Sequence, residues 1–299
     1  ERKWARIGTL VAVVVFWLIA TCLQPWNLFD KGPYTTDFYD AQARSIVHGH
    51  LDVPANVAGI EGFEIDGKTQ IYFGIGPAIM RLPFSGISNV FDRRLSLLSE
   101  LIAISVIGLA AARLLKKVKP LVARAPNGSP WWFGAFAAAA TLGTPLLYFA
   151  SSPLVYHEAE LWGAAAGLSR LDLVIRWWRV PTGRHLVEVV ALATFAVSCR
   201  PSSGLGPAIA LGIFGLVLAW RHRWMQALVV LAGSVIPLLA FATVNWARFG
   251  SLFSVPFPLQ VFSQFNENRQ AMLRGNNGSF FATSGTFPLV TRECPPVQH

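Results

Sequence analysis

Charge is scarce in this 299-residue chain: Asp, Glu, Lys and Arg make up 14% of it, against about 25% in a typical soluble domain. Apolar residues reach 53%, and mean hydropathy is +0.46. A water-soluble domain of this length has too much surface to cover with so few charges, so most of the surface is expected to face lipid. That excludes a cytosolic enzyme and a disordered tail. Acidic residues are the scarcer sign, 16 against 25 basic, for a net charge of +9. Beside a membrane, basic residues collect at the cytoplasmic leaflet, so no nucleic-acid partner is needed to explain them. Cysteine is nearly absent. Cys22, Cys199 and Cys294 are odd in number and widely scattered, which excludes a disulfide framework and a cysteine metal site. The chain has no glycine-rich phosphate loop with Lys-Ser/Thr and no Gly-x-Ser-x-Gly elbow. His48 and His50 flank a glycine without a third ligand at zinc spacing. There is no tandem repeat and no low-complexity run.

Apolar runs are what the chain has in quantity. A bilayer core about 30 Å thick needs about 20 mostly apolar helical residues. Seven such stretches are read, near 7–23, 95–115, 131–150, 159–178, 186–200, 204–220 and 225–246. No small-x-small cleavage site precedes Gln24-Pro25-Trp26, so the first reads as a retained helix and not a signal peptide. If the spans alternate, four basic clusters fall on one side: Arg2, Lys3 and Arg6; Arg113 to Arg124; Arg176, Arg179 and Arg184; Arg221 to Arg223. The positive-inside rule makes that side cytoplasmic. The expectation is an all-α, multi-pass plasma-membrane protein with its N-terminus inside. Loops 24–94, 151–158, 201–203 and 247–299 lie outside. Residues 1–250 form one transmembrane module, and 251–299 an outer segment leading to further helices. Arg170 and Asp172 are the main ionisable residues within the spans, and the spacing allows them to pair near the inner face.

The first outer loop is about 70 residues long, too long for an idle connector. It carries Asp30, Asp37, Asp40, Asp52, Glu61, Glu64, Asp66 and Asp92. Residues 37–48 read as a short helix with Asp37 as its cap and Phe38, Ala41, Ile46 and Val47 on one face; Gly49 ends it. Residues 62–73 read as a hairpin turning at Asp66-Gly67. Pro77 to Phe84 begins a second apolar helix at the membrane surface. A carboxylate beside an apolar membrane surface suits a base acting on a substrate with its tail in lipid. Desolvation raises the pKa of such a group, and a nearby arginine lowers it. Asp37 and Asp40, three apart, share a helix face; the plainer reading is a cap plus a solvated acid. Arg81, Arg200 and Arg248 sit at outer ends. They either snorkel to lipid headgroups or together hold a lipid-linked phosphate. His157 and Glu158 are an interfacial anchor with Tyr156, or an acceptor or pyrophosphate contact.

These residues resemble a family. Asp37-x-x-Asp-Ala-x-Ala-Arg-x-x-x-x-Gly49 with Leu51-Asp-Val-Pro54 is similar to the loop-one pattern of protein mannosyltransferases and aminoarabinose transferases. Tyr72-Phe-Gly-Ile-Gly-Pro77 resembles their Tyr-Phe-x-Lys-Pro-Pro element. Gly143-Thr-Pro-Leu-Leu-Tyr148, Arg200-Pro201 and Asn245-x-x-Arg-Phe-Gly-Ser251 are similar to phrases of bacterial members, actinobacterial arabinosyl- and mannosyltransferases included. The chain thus resembles, over about residues 7–255, the GT-C integral membrane glycosyltransferases. The resemblance implies a GT-C-like bundle with juxtamembrane helices in its first outer loop, and an inverting transferase. Its donor is a polyprenyl-phosphate-linked sugar and its acceptor a glycan, lipid or protein of the cell envelope. It implies Asp37 as catalytic base, with Asp40 second, with or without a divalent cation such as magnesium or manganese. Arg81, Arg200 and Arg248 become donor-phosphate contacts, and Tyr72, His157 and Glu158 substrate contacts. One departure stands out: Gly74 and Gly76 occupy the stretch where relatives carry a phosphate-facing lysine. Another basic residue takes that role, or the donor differs, or the chain is a non-catalytic scaffold that binds lipid or a partner protein. A transporter is a third reading, for which the spans offer little polar path.

Overall fold

A computed structural model describes residues 1–122, 129–150, 152–180, 182–276 and 278. Cys294 and the last part of the expected final outer segment, residues 279–299, lie outside the described residues. The chain is mostly helical. Its long helices are α1 (Arg2–Ala20), α5 (Ser96–Val122), α8 (Val155–Arg179), α9 (Gly183–Cys199), α10 (Pro201–Trp220) and α11 (Trp224–Phe249). Between α1 and α5 lie α2 (Phe38–Val47), α3 (Ala55–Ala58), a hairpin of β1 (Phe63–Ile65) and β2 (Lys68–Gln70), and α4 (Gly76–Arg81). The shorter α6 (Trp132–Leu142) and α7 (Leu146–Ala150) precede α8, and α12 (Val261–Phe265) and α13 (Glu267–Gly275) follow α11.

Among the described residues, three helices are long and apolar enough to cross a membrane: Arg2–Ala20, Ser96–Val118 and Trp224–Phe249. Their outward faces carry large apolar side chains, among them Leu10, Ile102, Leu228 and Leu239, all exposed. A contiguous apolar exterior of this kind is paired with lipid, not water. The inward faces of α1, α5 and α8 interlock through Ala12, Phe16, Ile104, Ile107, Leu161 and Ala165.

Local chemistry sets where helices stop, and it shifts three of the expected boundaries. The expected span at 131–150 is two helices, because Gly143 and Pro145 break it: Pro145 has no N–H to donate and its ring crowds the preceding turn. Arg200 is extended (φ −149°, ψ 112°), as a residue before proline prefers. The turn between α9 and α10 is therefore Arg200 alone, and Pro201 opens α10 at a position that needs no N–H donor. The third shift is at α8, which starts at Val155. Tyr156, His157 and Glu158 thus belong to its first turn and not to a loop.

The expected hairpin forms around Asp66 and Gly67, both at positive φ (50° and 73°), with Phe63 opposite Gln70 and Ile65 opposite Lys68. It has its own partner downstream. Phe63 bridges Gln260, and Val261 N–H donates to the Gly62 carbonyl at 2.9 Å. The long segment between α1 and α5 builds a small core from Phe38, Tyr39, Val53, Ile71, Phe73 and Ala78, closed by Val155 and Ala159 of α8. Expected helix α2 is buried on most sides. Phe38 and Ala41 are buried as expected, but Val47 is exposed.

The loop sits on the bundle through a close backbone approach. A Cβ at Gly74 would collide with the Ser198 and Cys199 carbonyls at the end of α9, and one at Gly76 with the Cys199 thiol. Gly74→Ala is therefore expected to unseat the loop from α9 at a cost of about 1–3 kcal/mol. The readout is a lower temperature of half-aggregation for the detergent-solubilised protein. An unchanged temperature would mean that the loop is not seated there.

Candidate functional site

Asp40, Arg81 and Glu158 come from α2, α4 and α8 and meet in the interior. Asp40 and Glu158 are 0% exposed and Arg81 3%. The Arg81 guanidinium donates from Nη1 to Asp40 Oδ1 at 2.8 Å and from Nη2 to Glu158 Oε2 at 2.6 Å. The same two nitrogens reach the Thr36 carbonyl and the Ser96 hydroxyl. Asp40 is filled further by Ser85 Oγ at 2.6 Å and by the Arg93 backbone N–H at 2.9 Å. With three donors on it and no exposed surface, the Asp40 carboxylate is closed to a substrate. Asp40, Arg81 and Glu158 are thus drawn together as one buried ion network, which differs from the roles of base, phosphate contact and acceptor contact expected of them. Arg44, the arginine of the Ala43-Arg44 motif, forms a second pair. Its two terminal nitrogens hold both oxygens of Asp92 at 2.6 and 2.8 Å.

Asp37 is placed differently. It occupies the residue before α2 but makes no side-chain capping hydrogen bond, against the expected cap. Its carboxyl is half-buried. Burial pushes its pKa above the usual carboxylate value; its own backbone N–H and the Arg93 guanidinium oppose this, while Asp40 and Asp92 add to it. The group is available to a proton, and the cation beside it is Arg93.

Arg93 also lines a cavity of about 380 Å³. The cavity lies where α1 ends and α5 begins, walled by Thr21, Leu28, Pro33, Leu97 and Pro153, with Lys31, Arg93 and Arg94 on it and Asp30 as its one acid. Arg93 sits at φ 66°, a conformation that costs a non-glycine residue on the order of 1 kcal/mol or more. Asp40, holding its N–H, and Gly32, exchanging hydrogen bonds with its carbonyl and guanidinium, keep it there. Arg94 donates to the Phe29 carbonyl at 2.8 Å. Lys31, Arg93 and Arg94 were missed by the sequence reading because they are ordinary surface cations until the chain folds; their only signal is the adjacent Arg93-Arg94 pair before a span.

The other expected contacts form a second group. Tyr72 donates its hydroxyl to Tyr156 at 3.1 Å. The Arg200 guanidinium lies over the Tyr156 ring and donates to Glu160 at 2.8 Å. Arg248 is buried and donates from Nη1 to the Phe73 carbonyl at 2.7 Å. It therefore supports the loop backbone and does not reach an outer surface. Asn245, of the same motif, ties the Ser251 and Ser254 carbonyls. His157 Nδ1 lies 2.6 Å from the Ser152 carbonyl, its ring against Tyr148 and Phe149. Asp172 does not pair with Arg170 as expected but with Lys117 and Arg176, at 2.6 and 2.8 Å.

No group of three His, Cys, Asp or Glu positioned to hold a metal occurs among the described residues. Near Asp37 the other carboxylates are already engaged: Asp40 by Arg81, and Asp92 by Arg44. These residues do not fit a divalent cation, and no step is routed through one.

Replacing Arg81 by Met leaves two buried carboxylates without their cation, which is expected to cost about 3–5 kcal/mol. Arg81→Lys should recover only part of this, since an ammonium cannot span both acids and Ser96. Heating of the solubilised variants checks the order; an Arg81→Met protein as stable as the parent would contradict it. Compared with known proteins, the chain matches no family model, no curated protein and no solved structure, and its chemistry rests on this geometry.

Proposed function

We propose that the protein is an inverting glycosyltransferase of the GT-C kind, moving a sugar from a polyprenyl-phosphate donor to an envelope acceptor at the outer face of the plasma membrane. The observation that carries this reading is Asp37: a half-buried carboxyl with a raised pKa that feels the charge of Arg93, and Arg93 in turn lines a basic cavity between the end of α1 and the start of α5. In this reading Asp37 takes the proton of the acceptor hydroxyl. The oxygen attacks the anomeric carbon, and the bond from that carbon to the phosphate oxygen breaks. Polyprenyl phosphate leaves with the negative charge, which Lys31, Arg93 and Arg94 stabilise. Arg93 and Arg94 replace Arg81 and Arg248 in that role and stand in for the lysine absent at Gly74 and Gly76.

The reading takes seven crossings with the N-terminus cytoplasmic. What supports the alternation is that α1, α9 and α11 end, and α5, α8 and α10 begin, beside the outer loop. The basic clusters fall at the other ends of these helices. The second reading, a scaffold that binds the lipid carrier without transfer, draws support from the tight packing at Gly74 and Gly76, which leaves no room for a lysine.

Radiolabelled polyprenyl-phosphate sugars and envelope lipids, given to the reconstituted protein, separate the two. The transferase reading expects labelled product, and the scaffold expects donor binding alone. Asp37→Asn should abolish transfer while donor binding persists. Because burial raises the Asp37 pKa, its base form is lost as pH falls through a value above the usual of about 3.9, so the acid limb of kcat/KM lies above that pH. The same raised pKa contributes stability that is present at low pH and lost as pH rises through it. Asp37→Asn should therefore be no less stable than the parent at neutral pH. Full turnover by Asp37→Asn would remove the assignment.

A further inference from the structure

A second cavity lies at the opposite end of the helices, and nothing in the proposed reaction uses it. It measures about 720 Å³ and is enclosed by the start of α1, the far half of α5, the start of α6 and the end of α8. Its floor is apolar: Ala5, Leu109, Ala112 and Phe133. Its rim carries seven basic side chains against two acidic ones, Glu1 and Asp172. Lys117 and Arg176 are taken by Asp172, and Lys116 lies 3.4 Å from Glu1. Arg2, Arg6, Arg113 and Arg179 form no ion pair among the described residues, although all four converge on the one cavity.

Position narrows the occupant. Residues Arg2 and Arg6 of α1 line this cavity, and Ala20 of the same helix lines the one near Asp37. Nineteen helical residues separate their ends by about 28 Å, close to the roughly 30 Å of a bilayer's hydrocarbon core. With one cavity at each surface of the apolar layer, the unpaired arginines stand at headgroup level and the floor runs into the acyl region. A positive-inside bias would spread cations around the perimeter; here they border a hollow with a greasy base. We propose that this cavity is a binding site for an anionic phospholipid of the leaflet opposite the Asp37 site, its phosphate held by Arg6, Arg113 and Arg179 and an acyl chain laid along Ala5, Ala112 and Phe133. The site is independent of the transferase reading and stands on the membrane embedding alone.

Native mass spectrometry of the full chain in detergent, titrated with phosphatidylglycerol, phosphatidylcholine or inorganic phosphate, tests it. Phosphatidylglycerol should be retained, phosphatidylcholine should not, and inorganic phosphate should fail to displace the bound lipid. The triple variant Arg6→Gln/Arg113→Gln/Arg179→Gln should lose affinity by about a hundredfold. Arg184→Gln/Arg221→Gln/Arg223→Gln, with the same change in charge outside the cavity, should bind as the parent does. Should the triple variant not fold, Arg113→Gln alone should weaken binding by about fivefold. Equal retention of phosphatidylcholine, displacement by phosphate or by a polyglutamate peptide, or equal losses in the cavity and control variants would each overturn the site.

Discussion

A guanidinium held between two carboxylates from different elements decides how the outer loop stands on the helices. Arg81, far from water, has to be satisfied by charge, because an isolated buried ion is far more expensive than any packing defect nearby. Asp40 anchors it to α2 and Glu158 to α8. Ser96, at the first turn of α5, closes the other side. Four elements are thereby pinned to one point, with Arg81 77 residues from Glu158 in sequence. The rest of the loop is arranged around that pin: Arg93 is held at positive φ because Asp40 takes its N–H, and Gly74 lies against α9 close to where α4 delivers Arg81.

The pin also separates two aspartates that look equivalent as sequence. Asp40 faces inward and accepts three hydrogen bonds; Asp37, one turn earlier, is left half-exposed with Arg93 as its neighbour. One acid organises the structure, and the other keeps a half-exposed carboxyl whose proton affinity is raised.

The long apolar helices were legible because hydrophobic run length is set by local composition, and α1, α5 and α11 fall close to their expected limits. The Asp66-Gly67 hairpin was legible because the two residues tolerate positive φ. What stayed hidden depends on distant partners. Arg81 and Arg248 read as outer cations available to phosphate, yet each is drawn inward by a group far along the chain: Glu158 for one, the Phe73 carbonyl for the other. Asp37 read as a cap, but the chain leaves its side chain out of the helix hydrogen bonding. Conversely, Arg93 and Arg94 gain meaning only when the 29–33 segment folds over them. The break at Gly143-Pro145 was visible in the residues and was outweighed by the apolar run around it.

Two cavities lie at opposite ends of the same helices, one lined by Lys31, Arg93 and Arg94 and the other by arginines that form no ion pair among the described residues. The account stands or falls on the first of these holding a lipid carrier. Photo-crosslinking with a polyprenyl phosphate that carries a diazirine next to its phosphate, followed by peptide mapping, tests this directly. The account predicts labels concentrated on residues 20–33 and 93–97, competed by unmodified polyprenyl phosphate. Labels spread along the exposed faces of α1, α10 and α11, with none at the outer cavity, would contradict it.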